Sequence, residues 1–408
     1  MIALNEAVDM VLAAVRPLTT VDVGLGEAFG RVLASDLVSP EEVPSFDNSA
    51  MDGFAVRAAD EAAGAEGLPI VAEIPAGRPA AAPLRPGEAM RIMTGAPLPA
   101  GADAVAPVEN TEERDGRVTV RIWPAEGANV RRAGEDVRAG SPLLPAGVAL
   151  GPAEVGLLAS VGVQRVPVVR RPRVALVATG SELVALGEPL GAGQIRNSNS
   201  YTACGQVLAA GCEPVLLGIA RDDPGETRDL IARALEEDVV VTSGGVSVGD
   251  FDFVKAVLDG LGVERRFWKV RTKPGKPVVF GVHGDTLVFG APGNPVAAMV
   301  TFELYVRPAL LALQGRRDIW RPYVVATAGE PVAPTKDRVE VRRCRLTNEA
   351  GEWRFATTGP QGSGILRSMA LADGLLLLPS AYGGGAPGAR HTVLLLGGAR
   401  PERPPYPD

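Results

Sequence analysis

Carboxylates, lysines and glycine-rich backbone are the groups in this chain able to do chemistry, because the common alternatives are scarce. Among 408 residues there are only two histidines and three cysteines. Cys204, Cys212 and Cys344 are odd in number and form no Cys-x-x-Cys pair. That argues against a disulfide framework or a zinc site and for small buried thiols in a reducing compartment. His283 and His391 cannot supply a multi-histidine metal centre. Each histidine reads as structural until a second signal joins it.

The sharpest chemical signal is Arg265–Lys276, RRFWKVRTKPGK, with six basic residues and no acid inside an acidic chain. If Phe267–Lys273 is extended, Lys269, Arg271 and Lys273 alternate onto one side of a sheet. Three cations on one face repel unless something negative lies across them, which points to a phosphate-bearing or oxyanion substrate. The plainer alternative is an edge strand guarded against aggregation by lysines. The nearby glycine-rich loop and the Lys273-Pro274-Gly275-Lys276 turn favour the substrate.

Carboxylates supply the other half. Glu182, Asp222 and Asp252 fall on or near loops, and one or two carboxylates plus substrate phosphates are what Mg²⁺ prefers. Asp223 and Asp250 have an ordinary explanation as helix caps. The loop Ser243–Asp250, with Gly244, Gly245 and Ser247, can present backbone N–H groups to an anion beside a helix N-terminus. It matches neither the P-loop pattern nor Gly-x-Gly-x-x-Gly, and a plain tight turn explains it as well.

Strand and helix alternation from about Arg173 to Leu313 supplies the scaffold. Val174–Ala178, Pro214–Ile219, Val239–Thr242, Phe267–Lys273, Val278–Phe280 and Thr286–Phe289 read as strands. Tyr201–Ala210, closed by Gly211, reads as a helix, as do Phe253–Leu261 and Val296–Leu313. A further helix opens with Asp223 as cap, Pro224 at its first position and Glu226 three residues after the cap, and runs to about Glu237. Such alternation implies a doubly wound, mainly parallel sheet, which binds ligands at the carboxyl ends of its strands. That rule selects Thr179–Glu182, Arg221–Asp223, Ser243–Asp250 and Ala291–Pro295.

Elsewhere, Leu4–Val15 carries one apolar helical stripe and Pro152–Val161 reads as a helix with Pro152 in its first turn. Pro40 to about Gly147 is rich in proline and glycine, with short β-prone runs such as Val118–Ile122, and reads as a small β-rich domain. From Tyr323 onward, Val339–Leu346 and Trp353–Thr358, joined at Asn348–Gly351, and the runs Leu375–Pro379 and Thr392–Leu396 read as a C-terminal β-barrel or sandwich. Arg400–Asp408 reads as a frayed tail. The expected class is α/β multidomain: a doubly wound sheet plus small β-rich domains.

Composition excludes several functions. With 46% hydrophobic and 22% charged residues and no long uncharged apolar run, no transmembrane helix is expected. The start, MIALNEAVDM, carries acids where a signal peptide carries a basic stretch, which argues against export. A net charge of −7 argues against broad nucleic-acid binding. A cytoplasmic protein with neither membrane nor nucleic-acid partner is the expectation.

As strings the loops are more specific than as compositions. Pro44–Ala55, PSFDNSAMDGFA, resembles the N-terminal signature of the molybdenum insertase family, which includes bacterial MoeA and the E domains of gephyrin and the plant Cnx insertase. Arg91–Pro97 with Gly101-Ala102-Asp103, Arg131–Asp136, Thr242–Gly249, Lys273–Pro277 and Pro292–Pro295 resemble further family segments in the right order. The resemblance covers nearly the whole chain. It implies four parts: a discontinuous linker and dimerisation domain (1–40 and 131–170), a β-rich domain (41–130), an α/β molybdopterin-binding domain (171–316) and a C-terminal β-barrel (317–400).

The resemblance also implies a homodimer and a reaction, in which adenylylated molybdopterin and molybdate give molybdenum cofactor and AMP with a divalent metal, Mg²⁺. Carried over by motif, Asp52, Thr94 and Asp136 face the site from the partner subunit's second domain and share the catalytic role with Asp252. Glu182 and Asp222 serve the metal. Lys269, Lys273 and Lys276 meet phosphate or molybdate, Gly244, Gly245 and Ser247 hold the substrate, Pro292 and Pro295 shape the pocket, and Arg343 and Ser363 contact molybdate. Transient contacts with molybdopterin adenylyltransferase and molybdoenzyme-maturation proteins are implied as well. The alternatives are a scaffold or carrier on the same fold and a tungstate-inserting enzyme. Presence of every proposed acid and lysine favours an enzyme, while no residue separates the two oxyanions. Ser181 stands where the family usually has an acid or amide, and Phe54 where it has tyrosine.

Overall fold

The computed structural model describes residues 1–64, 66–245, 253–349 and 351–397. They form two compact units, one of Met1–Val21, Gly30–Ala34 and the chain from Val168 on, the other of Asp22–Phe29 and Ser35–Pro167.

The larger unit is built on a six-stranded sheet in the order Glu213–Ala220, Arg173–Thr179, Val239–Ser243, Thr286–Ala291, Val279–His283, Glu264–Trp268. The first four strands are parallel, Val279–His283 runs antiparallel to them, and Glu264–Trp268 runs antiparallel to Val279–His283. Both faces are covered, which is why Arg173–Thr179 reads as a continuous apolar run rather than an alternating one. Val174 and Leu176 enter one core with Val207, Phe289 and Val300, while Ala175 and Val177 enter the other with Ile231 and Val254.

Local chemistry sets the helix ends. Asp223 Oδ1 accepts the Glu226 N–H at 2.8 Å and Pro224 opens the helix Pro224–Ala234, a cap contributing about 1 kcal/mol. The helix Asn199–Ala209 starts two residues before its apolar run, where Asn197 Oδ1 accepts the Ser200 N–H. Pro295–Leu313 is one helical stretch interrupted by a π segment at Phe302–Val306. It is long and apolar enough to cross a membrane, but 78% of it is buried within this unit, as in a core helix.

The expected strand Phe267–Lys273 is not one strand. Glu264–Trp268 pairs with Val279–His283 and stops, and Lys269 takes a left-handed φ of +70°. Val270 then bridges Ile2, and Thr272–Lys273 pairs with Val339–Glu340 in a different sheet. The left-handed residue and the change of partner break the two-residue period, so Lys269, Arg271 and Lys273 do not share a face.

Tyr323–Ala328, Val339–Glu349, Glu352–Thr357, Gly374–Leu378 and Arg390–Leu395 close into a five-stranded barrel, because Val339–Glu349 pairs on both its edges. Ala326, Cys344, Phe355, Leu376 and Val393 fill it. The tail Arg400–Asp408 lies outside the described residues.

The smaller unit carries a six-stranded mixed sheet in the order Ala104–Pro107, Gly53–Val56, Ala89–Ile92, Leu68–Ile74, Arg117–Val120, Thr111–Arg114. Gly53 lies so close to the neighbouring strand that a β-carbon there would sit 2.0 Å from the Ala106 carbonyl oxygen. Its place in the Met51-Asp52-Gly53 string is thereby explained by packing. The helix Pro152–Ser160 opens with Pro152 as expected.

Candidate active site

The strand order of the large sheet reverses between Arg173–Thr179 and Val239–Ser243, and loops from their carboxyl ends converge there. Gly180 N–H donates to the Ala220 carbonyl at 3.0 Å. Next to it the Ser181 N–H donates to Asp222 Oδ2 and the Asp222 N–H donates to Ser181 Oγ, each at 3.0 Å. Glu182 folds its carboxylate back over Gly180, where a β-carbon would meet Glu182 Oε2 at 2.4 Å. Glu182 and Asp222 are thus presented, both exposed, from adjoining loops.

The two glycines of the next loop are explained by packing. Gly244 and Gly245 have φ of +97° and +63°, and β-carbons there would lie 2.5 Å from the Thr179 carbonyl and 2.3 Å from Val254 Cγ2. Gly244 N–H donates to Ala291 O at 3.1 Å, so that donor is already used. Ser247 and Asp252 lie outside the described residues. Asn199, which no motif singled out as a site residue, donates from Nδ2 to Gly293 O at 2.8 Å and leaves its buried Oδ1 without a donor.

A cleft of about 310 Å³ opens between the Lys273–Pro277 turn, Pro292 and the barrel strand Val339–Glu349. Lys273, Lys276, Pro292, Arg343 and Ser363 all line it, so the structure gathers five expected residues from four separate stretches. Arg343 is fully buried; its Nε donates to Ser368 Oγ at 3.0 Å and its Nη2 to Gly362 O at 3.0 Å. Burial pushes its guanidinium below its ordinary pKa, and no carboxylate offsets that among the described residues. Gln361 accepts the Arg343 N–H, and Ser363 O accepts the Val296 N–H, which fixes the loop against the first turn of the helix begun by Pro295.

Sequence reading missed Glu340. It is buried, pairs with Lys273 Nζ through Oε1 at 2.9 Å, and with Arg342 Nη2 through Oε2 at 2.8 Å. Burial alone would raise its pKa, but the hydrogen bonds from Lys273 and Arg342 outweigh this and hold it below the usual carboxylate value. Lys269 does not line that cleft; its ammonium lies 3.7 Å from the centre of the Trp268 ring, and Lys255 approaches the same ring at 3.9 Å.

In the smaller unit Asp52 Oδ1 accepts both the N–H and the hydroxyl of Thr94, at 2.7 and 2.8 Å. Those two bonds hold the exposed Asp52 carboxyl below its ordinary pKa. The segment leading into it is pinned at two points. Asp47 accepts from Arg132 Nη1 and Ala133 N–H, and Asp136 N–H donates to Val43 O. Asp52 and Thr94 are therefore in contact, and Asp136 belongs to the segment braced against the same loop.

Among the described residues no group of three or more His, Cys, Asp or Glu is gathered to hold a metal ion. Two exposed carboxylates on adjoining loops suit instead a Mg²⁺ that keeps several waters and takes further oxygens from substrate phosphates.

Three family models match the chain: the MoeA N-terminal region (domain I and II) over residues 2–162, a probable molybdopterin binding domain over 175–312, and the MoeA C-terminal region (domain IV) over 325–396. The chain is 40% identical over 387 residues to molybdopterin molybdenumtransferase 2 of Mycobacterium tuberculosis, covering 92% of this chain and 94% of that protein. It is 35% identical to the molybdopterin molybdenumtransferase of Bacillus subtilis, over 97% of this chain and 94% of the relative. The crystal structure of the molybdopterin biosynthesis MoeA protein of Pyrococcus horikosii superposes with a TM-score of 0.83 at 32% identity, over 98% of this chain and 100% of that one. With matches in all three regions, the chain belongs to the MoeA family.

Proposed function

We propose that this protein is a molybdopterin molybdenumtransferase, which takes adenylylated molybdopterin and molybdate and forms molybdenum cofactor with release of AMP. The observation that carries the reading is Arg343. An arginine buried without a carboxylate partner costs several kcal/mol unless an anion joins it. It lines a cleft whose mouth carries the exposed Lys273 and Lys276, and a tetrahedral dianion is the kind of ligand that arrangement stabilises.

The substrates themselves explain the need. Molybdate is a dianion and the adenylylated pterin carries a pyrophosphate, so their approach is opposed until fixed cations offset the charge. Lys273, Lys276 and Arg343 hold the oxyanion, with Ser363 and Pro292 limiting its position. Glu182 and Asp222 carry the Mg²⁺, which when bound neutralises phosphate charge and polarises the bond to be cleaved. Asp222 or Asp252 orients the attacking water. The remaining catalysis is positioning in a preorganised polar site.

A homodimer in which the partner subunit contributes Asp52, Thr94 and Asp136 is part of the same reading, supported by the fixed, exposed Asp52–Thr94 pair. A cytoplasmic setting agrees with three free cysteines. The division into four domains, and contacts with an adenylyltransferase and with maturation proteins, belong to the proposal too. The experiment is a comparison of Lys273→Ala and Lys276→Ala with the unmodified protein in a molybdate-dependent AMP-release assay. Both substitutions are expected to raise the molybdate concentration needed for half-maximal release at least tenfold; unchanged curves would remove the cleft from the reaction.

A further inference from the structure

We propose that Glu340 is the resident carboxylate of the oxyanion cleft, holding Lys273 in place and setting how tightly a tetrahedral dianion binds. The inference rests on the reading of that cleft as an oxyanion site and adds the residue that tunes it.

Both Glu340 oxygens are engaged, Oε1 by Lys273 and Oε2 by Arg342 Nε and Nη2. The carboxylate is 8% exposed while Lys273 is 56% exposed, so the buried partner anchors the exposed one. Glu340 lines the same cleft as Lys276, Arg338 and Arg343. Glu340 is the one carboxylate lining the cleft among the described residues. A dianion entering there shares Lys273 with a negative charge already present. That repulsion grows in proportion to the ligand's charge, whereas shape and hydrogen bonding do not. The carboxylate therefore keeps the cleft from gripping a dianion so strongly that it cannot pass on, and it discriminates by charge.

The competing explanation is a structural staple. Lys273 and Glu340 are register partners in the parallel pairing of Thr272–Lys273 with Val339–Glu340, and their ion pair could serve only to join the strands. The two roles separate experimentally. Glu340→Gln keeps the shape and one acceptor for Lys273 but removes the charge; Glu340→Asp keeps the charge with a shorter reach.

The test is calorimetric titration of the purified full chain with molybdate and with perrhenate, tetrahedral oxyanions of charge −2 and −1. Removal of the charge in Glu340→Gln should tighten molybdate by about tenfold and perrhenate by about threefold, since the effect scales with ligand charge. Glu340→Asp should keep both affinities near the starting values, and Lys276→Ala should weaken both ligands. Melting-temperature shifts with each anion give a second reading of the same affinities. Equal factors for the two anions, no change, or weaker molybdate binding in Glu340→Gln would overturn the proposal and leave the staple. If the unmodified protein binds neither anion, the oxyanion reading of the cleft falls and this one with it; if it binds them and Glu340→Gln is indifferent, only this one falls.

Discussion

Ser181 and Asp222 hold each other through a reciprocal pair of hydrogen bonds, backbone N–H of each to side-chain oxygen of the other, both at 3.0 Å. The pair joins loops that follow two adjacent parallel strands. The serine found where relatives are expected to carry an acid or amide thus ties the Asp222 loop to its own. Both residues are exposed, so Ser181→Ala should cost only about 0.5–1 kcal/mol in stability. The Mg²⁺ concentration for half-maximal AMP release should rise severalfold, because the Asp222 loop loses one of its two ties. Magnesium titrations of AMP release on both proteins decide it; an unshifted curve means the clasp does not aim Asp222.

A second expectation concerns Asp52. Thr94 donates its N–H first and its hydroxyl second to one carboxylate oxygen, and both favour the ionised form. The folded pKa lies below the unfolded one, so the tie is fully present above the ordinary aspartate range and is lost as pH falls through the depressed folded value. Carboxyl NMR should show Asp52 titrating below an ordinary aspartate. In Thr94→Val the N–H donor remains and the hydroxyl is gone, and the midpoint should move part of the way back up. A midpoint unmoved by Thr94→Val would contradict the geometry.

Gly53→Ala should be severe although glycine does no chemistry there. The added carbon would lie 2.0 Å from a backbone oxygen of the adjacent strand, and backbone cannot swing aside as a side chain can. A loss of about 2–4 kcal/mol is expected from such overpacking, measured as unfolding free energy in denaturant. Near-native stability would mean that the two strands separate easily.

The thiols offer a simple check of the cores. Burial pushes the Cys212 and Cys344 thiols up to about 12, so neither forms thiolate near neutral pH. Cys204 is only half-buried. A thiol reagent at pH 8 should label one cysteine quickly in the native protein and all three after unfolding. Rapid native labelling of Cys344 would contradict a closed barrel.

Much of this was legible in the sequence for physical reasons that can be named. The parallel strands are apolar throughout because both faces are buried, and Asp223-Pro224 marks a helix start by chemistry that acts within a few residues. Four of the five barrel strands were placed within a residue or two, apart from the three-residue extension of Val339–Glu349, while Tyr323–Ala328 was not read as a strand. What failed was the cationic stretch. Alternation assumes an extended backbone, and nothing in the identity of Lys269 announces a left-handed φ or a change of sheet.

Glu340 was missed for a related reason. It lies 67 residues from Lys273, and in VEVRRCRL it looks like one more polar position on a half-exposed strand. Only the pairing of the two-residue strand Thr272–Lys273 onto the barrel strand that carries Glu340 brings acid and lysine together. The loops that carry Asp52 and Thr94 were legible as strings, but that Thr94 fixes the Asp52 carboxylate was not, because the two are 42 residues apart.

The most direct test of the central claim is AMP release from purified protein supplied with adenylylated molybdopterin and Mg²⁺, with and without molybdate. The account predicts AMP release that depends on molybdate and is matched by molybdenum retained in the pterin product. Tight pterin binding with no molybdate-dependent AMP release would contradict it, and would make the protein a carrier built on the same frame.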